Sequence, residues 1–168
     1  MQRDAALADF DQTRDQFLGA FQHVPDEALG FLKPGDDYAL GGLLPHVSWV
    51  LRRYARVLEG IAASRFREMR AEDRPEELEE VAAQTKNGLD AAGRGPALEA
   101  VIKGHEHVSQ LVRRFPPEEF EREAPVYFGD APDPYPTSPA AVVGWLRDHY
   151  VEHVPHVEQL LADYRASS

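Results

Sequence analysis

The chain has 168 residues, of which 43% are hydrophobic and 28% are charged. Its 29 Asp and Glu outnumber its 18 Lys and Arg, and the net charge of −11 argues against nucleic acid as a partner. The lack of cysteine excludes disulfides, thiolate nucleophiles and sulfur-ligated metals. No apolar run is long enough to span a membrane, and the first residues do not resemble a signal peptide. We therefore expect one cytoplasmic domain over residues 1–168, without a membrane partner.

Helical periodicity dominates the chain and predicts an all-α, up-and-down four-helix bundle. The four predicted helices span residues 3–24, 38–66, 96–115 and 139–164. Ser138 is the expected N-cap of the last helix, with Pro139 at its first position.

Two long connections are expected between the second and third helices and between the third and fourth. Residues 67–95 are acidic and predict a solvated helix or a mobile excursion. Residues 116–139 contain seven of the 13 prolines and predict an ordered Ω-like loop, held down by Tyr127, Phe128 and Tyr135. This loop is expected to cover a pocket.

Histidines interrupt the apolar faces of two predicted helices. His149, His153 and His156 share the buried stripe of the last helix, and His46 lies on the core face of the second. A buried polar group without a hydrogen bond costs about 1–3 kcal/mol, whereas one divalent cation would satisfy several imidazoles at once. The i,i+4 spacing of His149 and His153 predicts two ligands for one ion, with His46 as a possible third.

Other interpretations of the polar residues stay open. Glu152 and His156 are also spaced i,i+4, and Pro155 between the histidines is expected to bend the helix and re-aim them. His105 could hydrogen-bond a ligand or could be an ordinary core histidine. Arg53, seven residues after His46, could bind a substrate carboxylate or lie on the surface with its stem along apolar side chains.

Two segments resemble the DinB/YfiT-like superfamily of metal-binding four-helix bundles. These are Leu-Leu-Pro-His-Val-Ser-Trp at residues 43–49 and the His-x-x-x-His-x-x-His-Val pattern that begins at His149. The second is similar to the family's HxxxHxxQI segment, with His156 at the position where glutamine is common. The resemblance covers nearly the whole chain and implies three ligands, His46, His149 and His153, around an ion with open coordination positions. One branch of the family uses a His-Glu-His set, which keeps Glu152 and His156 as an alternative.

The resemblance also implies an activity and an assembly. Zinc is the first choice of ion, with nickel, manganese and iron as alternatives, and family members are often homodimers. The expected function is that of a metal-dependent hydrolase, or of an S-transferase that acts on a small molecule with a thiol cosubstrate such as bacillithiol or mycothiol. The alternatives are a non-catalytic metal-binding or stress-associated bundle and an interaction module without metal.

Overall fold

The computed structural model describes residues 2–168, and helices account for most of them. The helices are α1 (Gln2–Phe21), α2 (Leu43–Ser64), α3 (Pro75–Asn87), α4 (Ala91–Arg114) and α5 (Pro139–Ser167). The four long helices share one hydrophobic core, in which α2 packs mainly on α4 and α1 mainly on α5. The prediction of a mostly helical domain is confirmed, while the up-and-down order of the bundle stays a prediction. Within the described residues, no helix combines the length and hydropathy that crossing a bilayer requires.

Side-chain caps fix where two helices begin. The Ser138 hydroxyl accepts a hydrogen bond from the Ala141 amide at 3.0 Å, with Pro139 in the first turn of α5. The Asp90 carboxylate accepts one from the Gly93 amide at 2.8 Å and starts α4 five residues before the predicted start at Pro96. The prediction missed this extra turn because it treated a proline as the first residue of the helix.

A small three-stranded sheet accompanies the helices and was not part of the prediction. Its strands are β1 (Met69–Ala71), β2 (Ala124–Phe128) and β3 (Tyr135–Thr137), in that spatial order. β1 pairs parallel with β2, and β2 pairs antiparallel with β3. Residues 116–139 were predicted to form an ordered loop, and in the structure this segment also contains β2, β3 and a short 3-10 helix at Pro117–Glu119. Strands of three to five residues are too short to produce a recognisable alternating pattern.

The connection between α2 and α4 contains a fifth helix, α3. It is largely exposed, as its acidic composition suggested, but Val81 and Thr85 are buried against the bundle. Its last turn lies against the start of α2, where a Cβ on Gly42 would come within 1.8 Å of the Thr85 carbonyl oxygen. Only glycine allows this close approach, which fixes the position of the first turn of α2.

Helices α2 and α5 run in opposite directions along their contact. His46, near the start of α2, meets His149 in the middle of α5, while Tyr54 further along α2 meets Trp145 earlier on α5. The antiparallel arrangement therefore brings the early turns of α2 to the level of the middle turns of α5.

Candidate metal centre

Three imidazoles from α2 and α5 converge inside the bundle. The Nε2 atom of His149 lies 3.1 Å from Nε2 of His46 and 3.0 Å from Nε2 of His153. Each of the three residues offers a ring nitrogen within 4.8 Å of the others, and the described residues contain no other such group of His, Asp and Glu. The structure thus brings together the histidines that the spacing and the resemblance singled out.

Local features of each helix aim these side chains inward. His46 follows Pro45 in the first turn of α2, and its amide makes the first hydrogen bond of the helix, to Gly42. His149 and His153 lie on successive turns of α5, which stays helical through Pro155. The centre therefore rests on the interiors of two packed helices rather than on loops.

Burial keeps the three rings uncharged at neutral pH. It lowers the pKa of His46 to about 4, with a further contribution from the charge of His156. Burial, and then the charge of His46, lowers the pKa of His149 to about 4. The pKa of His153 falls to about 3 through burial and the charges of the neighbouring histidines. Neutral imidazoles have a free lone pair, which is the form that binds a metal.

The donor set fits a divalent ion better than it fits a hydrogen-bonded protein cluster. A neutral ring has at most one hydrogen at Nε2, so His149 cannot make a good hydrogen bond to both neighbours at once. Three nitrogens bound to a tetrahedral ion at about 2.0–2.1 Å would lie about 3.3 Å apart, close to the separations found here. One cation shared by three lone pairs would satisfy all three rings.

His156 touches the centre from outside. Its Nδ1 atom lies 3.3 Å from Nδ1 of His153, on the side of that ring opposite Nε2. When His153 Nε2 holds a lone pair, Nδ1 carries the hydrogen and can donate it to Nδ1 of His156. This geometry favours His156 as a hydrogen-bond partner of a ligand rather than as a ligand.

Glu152 does not join the three histidines. Its side chain is exposed, and neither Glu152 nor His156 belongs to the group whose ligand atoms converge. Its charge acts instead on Tyr38, whose pKa is raised first by burial and then by Glu152. The structure therefore does not bring Glu152 and His156 into a shared site with His46.

His105 belongs to a separate hydrogen-bonded chain in the core. It is fully buried, its Nε2 lies 2.7 Å from a carboxylate oxygen of Asp11, and its Nδ1 lies 3.1 Å from the Tyr150 hydroxyl. The carboxylate can only accept, so Nε2 carries the hydrogen and Nδ1 accepts from Tyr150. Its ring also stacks on Phe10, 3.9 Å between centroids. These contacts match the interpretation of His105 as a core histidine.

Arg53 is engaged by an acid that the sequence analysis did not identify. Its Nε donates to both Asp73 oxygens, at 2.8 and 3.1 Å, and both side chains are largely buried. Burial acts to lower the pKa of Arg53, but the hydrogen bond and charge of Asp73 outweigh it and raise that pKa. The guanidinium also lies over the rings of Tyr54 and Phe128, and the binding of a substrate carboxylate by Arg53 stays a prediction.

Tyr38 is the site residue that the sequence analysis missed. Its ring contacts those of His46 at 5.1 Å and His156 at 5.3 Å between centroids. Tyr38, His46 and Trp49 line part of a cavity of about 410 Å³ between α2 and α3, so the His46 side of the centre faces a space of small-molecule size. The second helix was predicted to begin at residue 38, but α2 begins at Leu43 and Tyr38 lies in an irregular segment before it, so the prediction gave its side chain no correct direction.

Comparisons with known proteins agree with the geometry. A family model described as the DinB superfamily matches residues 9–157, a range that includes all three converging histidines. No curated protein and no solved structure gives a significant match. Because the family match covers most of the sequence, the chain belongs to the DinB superfamily.

Proposed function

We propose that the protein binds one divalent metal ion through Nε2 of His46, His149 and His153. The observation that carries the proposal is the convergence of these three nitrogen atoms between two helices. Their low pKa values support it, because the rings keep their lone pairs at neutral pH without losing a proton first. Zinc is the proposed ion, since three histidines leave a tetrahedral position open in catalytic zinc sites.

The set of three protein ligands favours an enzyme over a purely structural metal site. Structural zinc sites are usually closed by four protein ligands, and the described residues contribute no fourth His, Asp or Glu to this group. The adjoining cavity at Tyr38 and Trp49 would admit a small molecule. A bound divalent cation supplies Lewis acidity, which lowers the pKa of a water or thiol near it. The three histidines would hold the ion, and Tyr38 would form one wall beside it.

The reaction we propose is hydrolysis or thiol S-transfer on a small organic substrate. Family membership supports this class, and the lack of cysteine means that the thiol must come from a cosubstrate such as bacillithiol or mycothiol. In S-transfer, the thiol loses its proton, its sulfur bonds to an electrophilic carbon, and the leaving group departs with the bonding electrons. The alternative is a non-catalytic metal-binding or stress-associated protein, which would bind the same ion and consume no thiol. A homodimer, also proposed, is checked by sedimentation.

Metal analysis of purified variants tests the metal centre. His46→Ala, His149→Ala and His153→Ala are each expected to lose the stoichiometric metal found in the parent protein. His107→Ala is the matched control, because His107 is half-exposed on α4 and pairs with Glu59 at 3.1 Å. Metal retained by His149→Ala but lost from a His156→Ala variant would contradict the ligand set and favour Glu152 with His156.

Turnover assays separate the two functions. The metal-loaded protein is incubated with bacillithiol or mycothiol and a panel of electrophiles, and in parallel with ester and amide substrates. Thiol loss or hydrolysis above that of metal-treated His149→Ala supports the enzyme. Stoichiometric metal without turnover of either kind would favour the non-catalytic alternative.

A further inference from the structure

A second pocket lies beside the candidate metal centre, between α2, α5 and the β2–β3 hairpin. Its volume is about 710 Å³, within the range of small-molecule sites. Four aromatic side chains contribute to its lining: Tyr54, Phe128, Tyr135 and Trp145. Trp145 precedes His149 by four residues, which corresponds to about 6 Å of rise along α5. The pocket is therefore about one helical turn from His149 and about two turns from His153 along α5.

Trp145 is the centre of this aromatic lining. Its ring centroid lies 5.8 Å from that of Tyr54, 5.9 Å from Tyr135 and 6.3 Å from Phe128. Tyr135 is nevertheless 58% exposed, so part of its ring surface faces the pocket opening or solvent. A flat apolar ligand in the pocket would cover this exposed surface and stack on rings already spaced for aromatic contact.

Arg53 supplies a fixed positive group at the same pocket. Asp73 holds its Nε, and its guanidinium carbon lies 5.4 Å from the Tyr54 ring and 5.8 Å from the Phe128 ring. A guanidinium clamped by a carboxylate and by aromatic rings loses little further freedom when it binds a ligand. Arg53 is thus pre-oriented for recognition.

The outer edge of this guanidinium is available. Arginine has five N–H donors, and Asp73 engages only the one on Nε. The Tyr54 hydroxyl also acts on the guanidinium and raises the pKa of Arg53, but among residues 2–168 the side-chain hydrogen bonds of Arg53 use Nε and leave Nη1 and Nη2 for a ligand. Two neighbouring N–H groups on a guanidinium match the two oxygens of a carboxylate. The competing acid at the pocket, Asp133, is exposed at the rim, where solvent screens its charge.

We propose that this pocket binds a small aromatic carboxylate, with its ring against Trp145 and Tyr54 and its carboxylate on the Nη atoms of Arg53. The substrate class of the enzyme would then be arylcarboxylates whose reacting group extends toward the three histidines. That assignment as substrate rests on the proposed function, whereas the binding site itself does not require a metal.

Calorimetric and NMR titration of the metal-free protein with 2-naphthoate tests the proposal. We expect saturable binding, with a shift of the Trp145 indole N–H resonance assigned with a Trp145→Phe variant. The neutral amide 2-naphthamide is expected to bind at least tenfold more weakly, and a naphthylmethylammonium cation more weakly still. Equal binding of the amide or tighter binding of the cation would overturn the choice of a carboxylate.

Variants of the full chain assign the contacts. Arg53→Gln and Trp145→Leu should each weaken 2-naphthoate binding at least tenfold. Arg52→Gln is the matched control, because the neighbouring Arg52 donates to the Ser48 hydroxyl and lines a different cavity. Thermal melts check that each variant is folded. If Arg53→Gln does not fold, the affinity of Trp145→Leu for 2-naphthoate tests the proposal by itself. Unchanged affinity in a folded Arg53→Gln or Trp145→Leu variant, or no binding to the parent protein at millimolar ligand, would overturn the proposal.

The two proposals can fail separately. His149→Ala should lose metal while it binds 2-naphthoate as tightly as the parent protein. If the parent protein binds the carboxylate but takes up no metal, the pocket proposal holds and the proposed metal function is wrong. If it binds metal but not the carboxylate, the metal function holds and the pocket proposal is wrong.

Discussion

Nδ1 of His153 faces Nδ1 of His156 at 3.3 Å, while Nε2 of His153 faces the other two histidines of the centre. Two neutral imidazoles can share this contact only when one has a hydrogen at Nδ1 and the other has a lone pair there. If His153 uses Nε2 for a metal, His153 is the donor and His156 the acceptor. Hydrogen bonds of this kind orient ligating histidines and increase their basicity.

Substitutions of His156 should therefore change metal affinity without removing a ligand. His156→Leu removes the acceptor and should weaken affinity by about 10- to 100-fold. His156→Gln keeps an acceptor oxygen and should stay within a few-fold of the parent. Competition with a chromophoric chelator at pH 7.5 measures the affinities.

The exposed His107→Leu variant serves as the control for loss of a histidine from the surface. An affinity of His156→Leu equal to that of the parent would show that the contact between the two rings does not orient His153.

The contact of buried His105 with the partly exposed Asp11 predicts a pH-dependent stability. Burial lowers the pKa of His105 to about 4, although Asp11 acts in the opposite direction, while an unfolded chain has a histidine pKa near 6.5. Between these values the unfolded chain binds more protons, so the free energy of unfolding decreases as the pH falls below about 6.5. Between pH 7 and pH 5, the titration of His105 should lower the free energy of unfolding by about 2 kcal/mol.

His105→Gln isolates that contribution. Glutamine can donate to Asp11 and accept from Tyr150 but does not titrate. The variant should therefore lose about 2 kcal/mol less of its free energy of unfolding between pH 7 and pH 5 than the parent protein does. Urea unfolding of both metal-free proteins at several pH values gives the difference. Parallel pH profiles for the two proteins would mean that His105 is not held neutral by the fold.

The convergence of His46, His149 and His153 could be anticipated because polar residues on an apolar helical face are detectable from periodicity. Periodicity does not predict which turns of two helices lie side by side, because this depends on the connections and on close contacts such as that of Gly42 with Thr85. Tyr38 and Asp73 lie outside the helices, where spacing predicts no direction for a side chain. The pairing of β1 with β2 joins segments far apart in sequence, and that pairing has no local signal.

The contact of Gly42 with α3 makes a prediction about the position of His46. An added Cβ would lie 1.8 Å from the Thr85 carbonyl oxygen and 2.6 Å from its carbonyl carbon, so the backbones must separate. Gly42→Ala should destabilise the protein by about 1–3 kcal/mol, as overpacking usually does, and should weaken metal binding through the shift of α2.

Gly144→Ala is the matched control on α5, because a Cβ there meets no atom within 4 Å. In a helix interior this change should stabilise by up to about 1 kcal/mol and leave metal affinity unchanged. Denaturant unfolding and chelator competition measure both effects. A Gly42→Ala protein as stable as the parent would contradict the close approach of α2 and α3.

Metal should raise the thermal stability of the folded protein. The converging geometry of His46, His149 and His153 exists only in the folded chain, so binding shifts the equilibrium toward it. At a free metal concentration about 100-fold above Kd, the gain is about 2.7 kcal/mol, which corresponds to an increase in Tm of about 5–10 °C for a chain of this size. Calorimetric scans with zinc and with excess chelator measure the shift, and His149→Ala should show almost none. An equal increase in His149→Ala would mean that the metal stabilises the protein from another site.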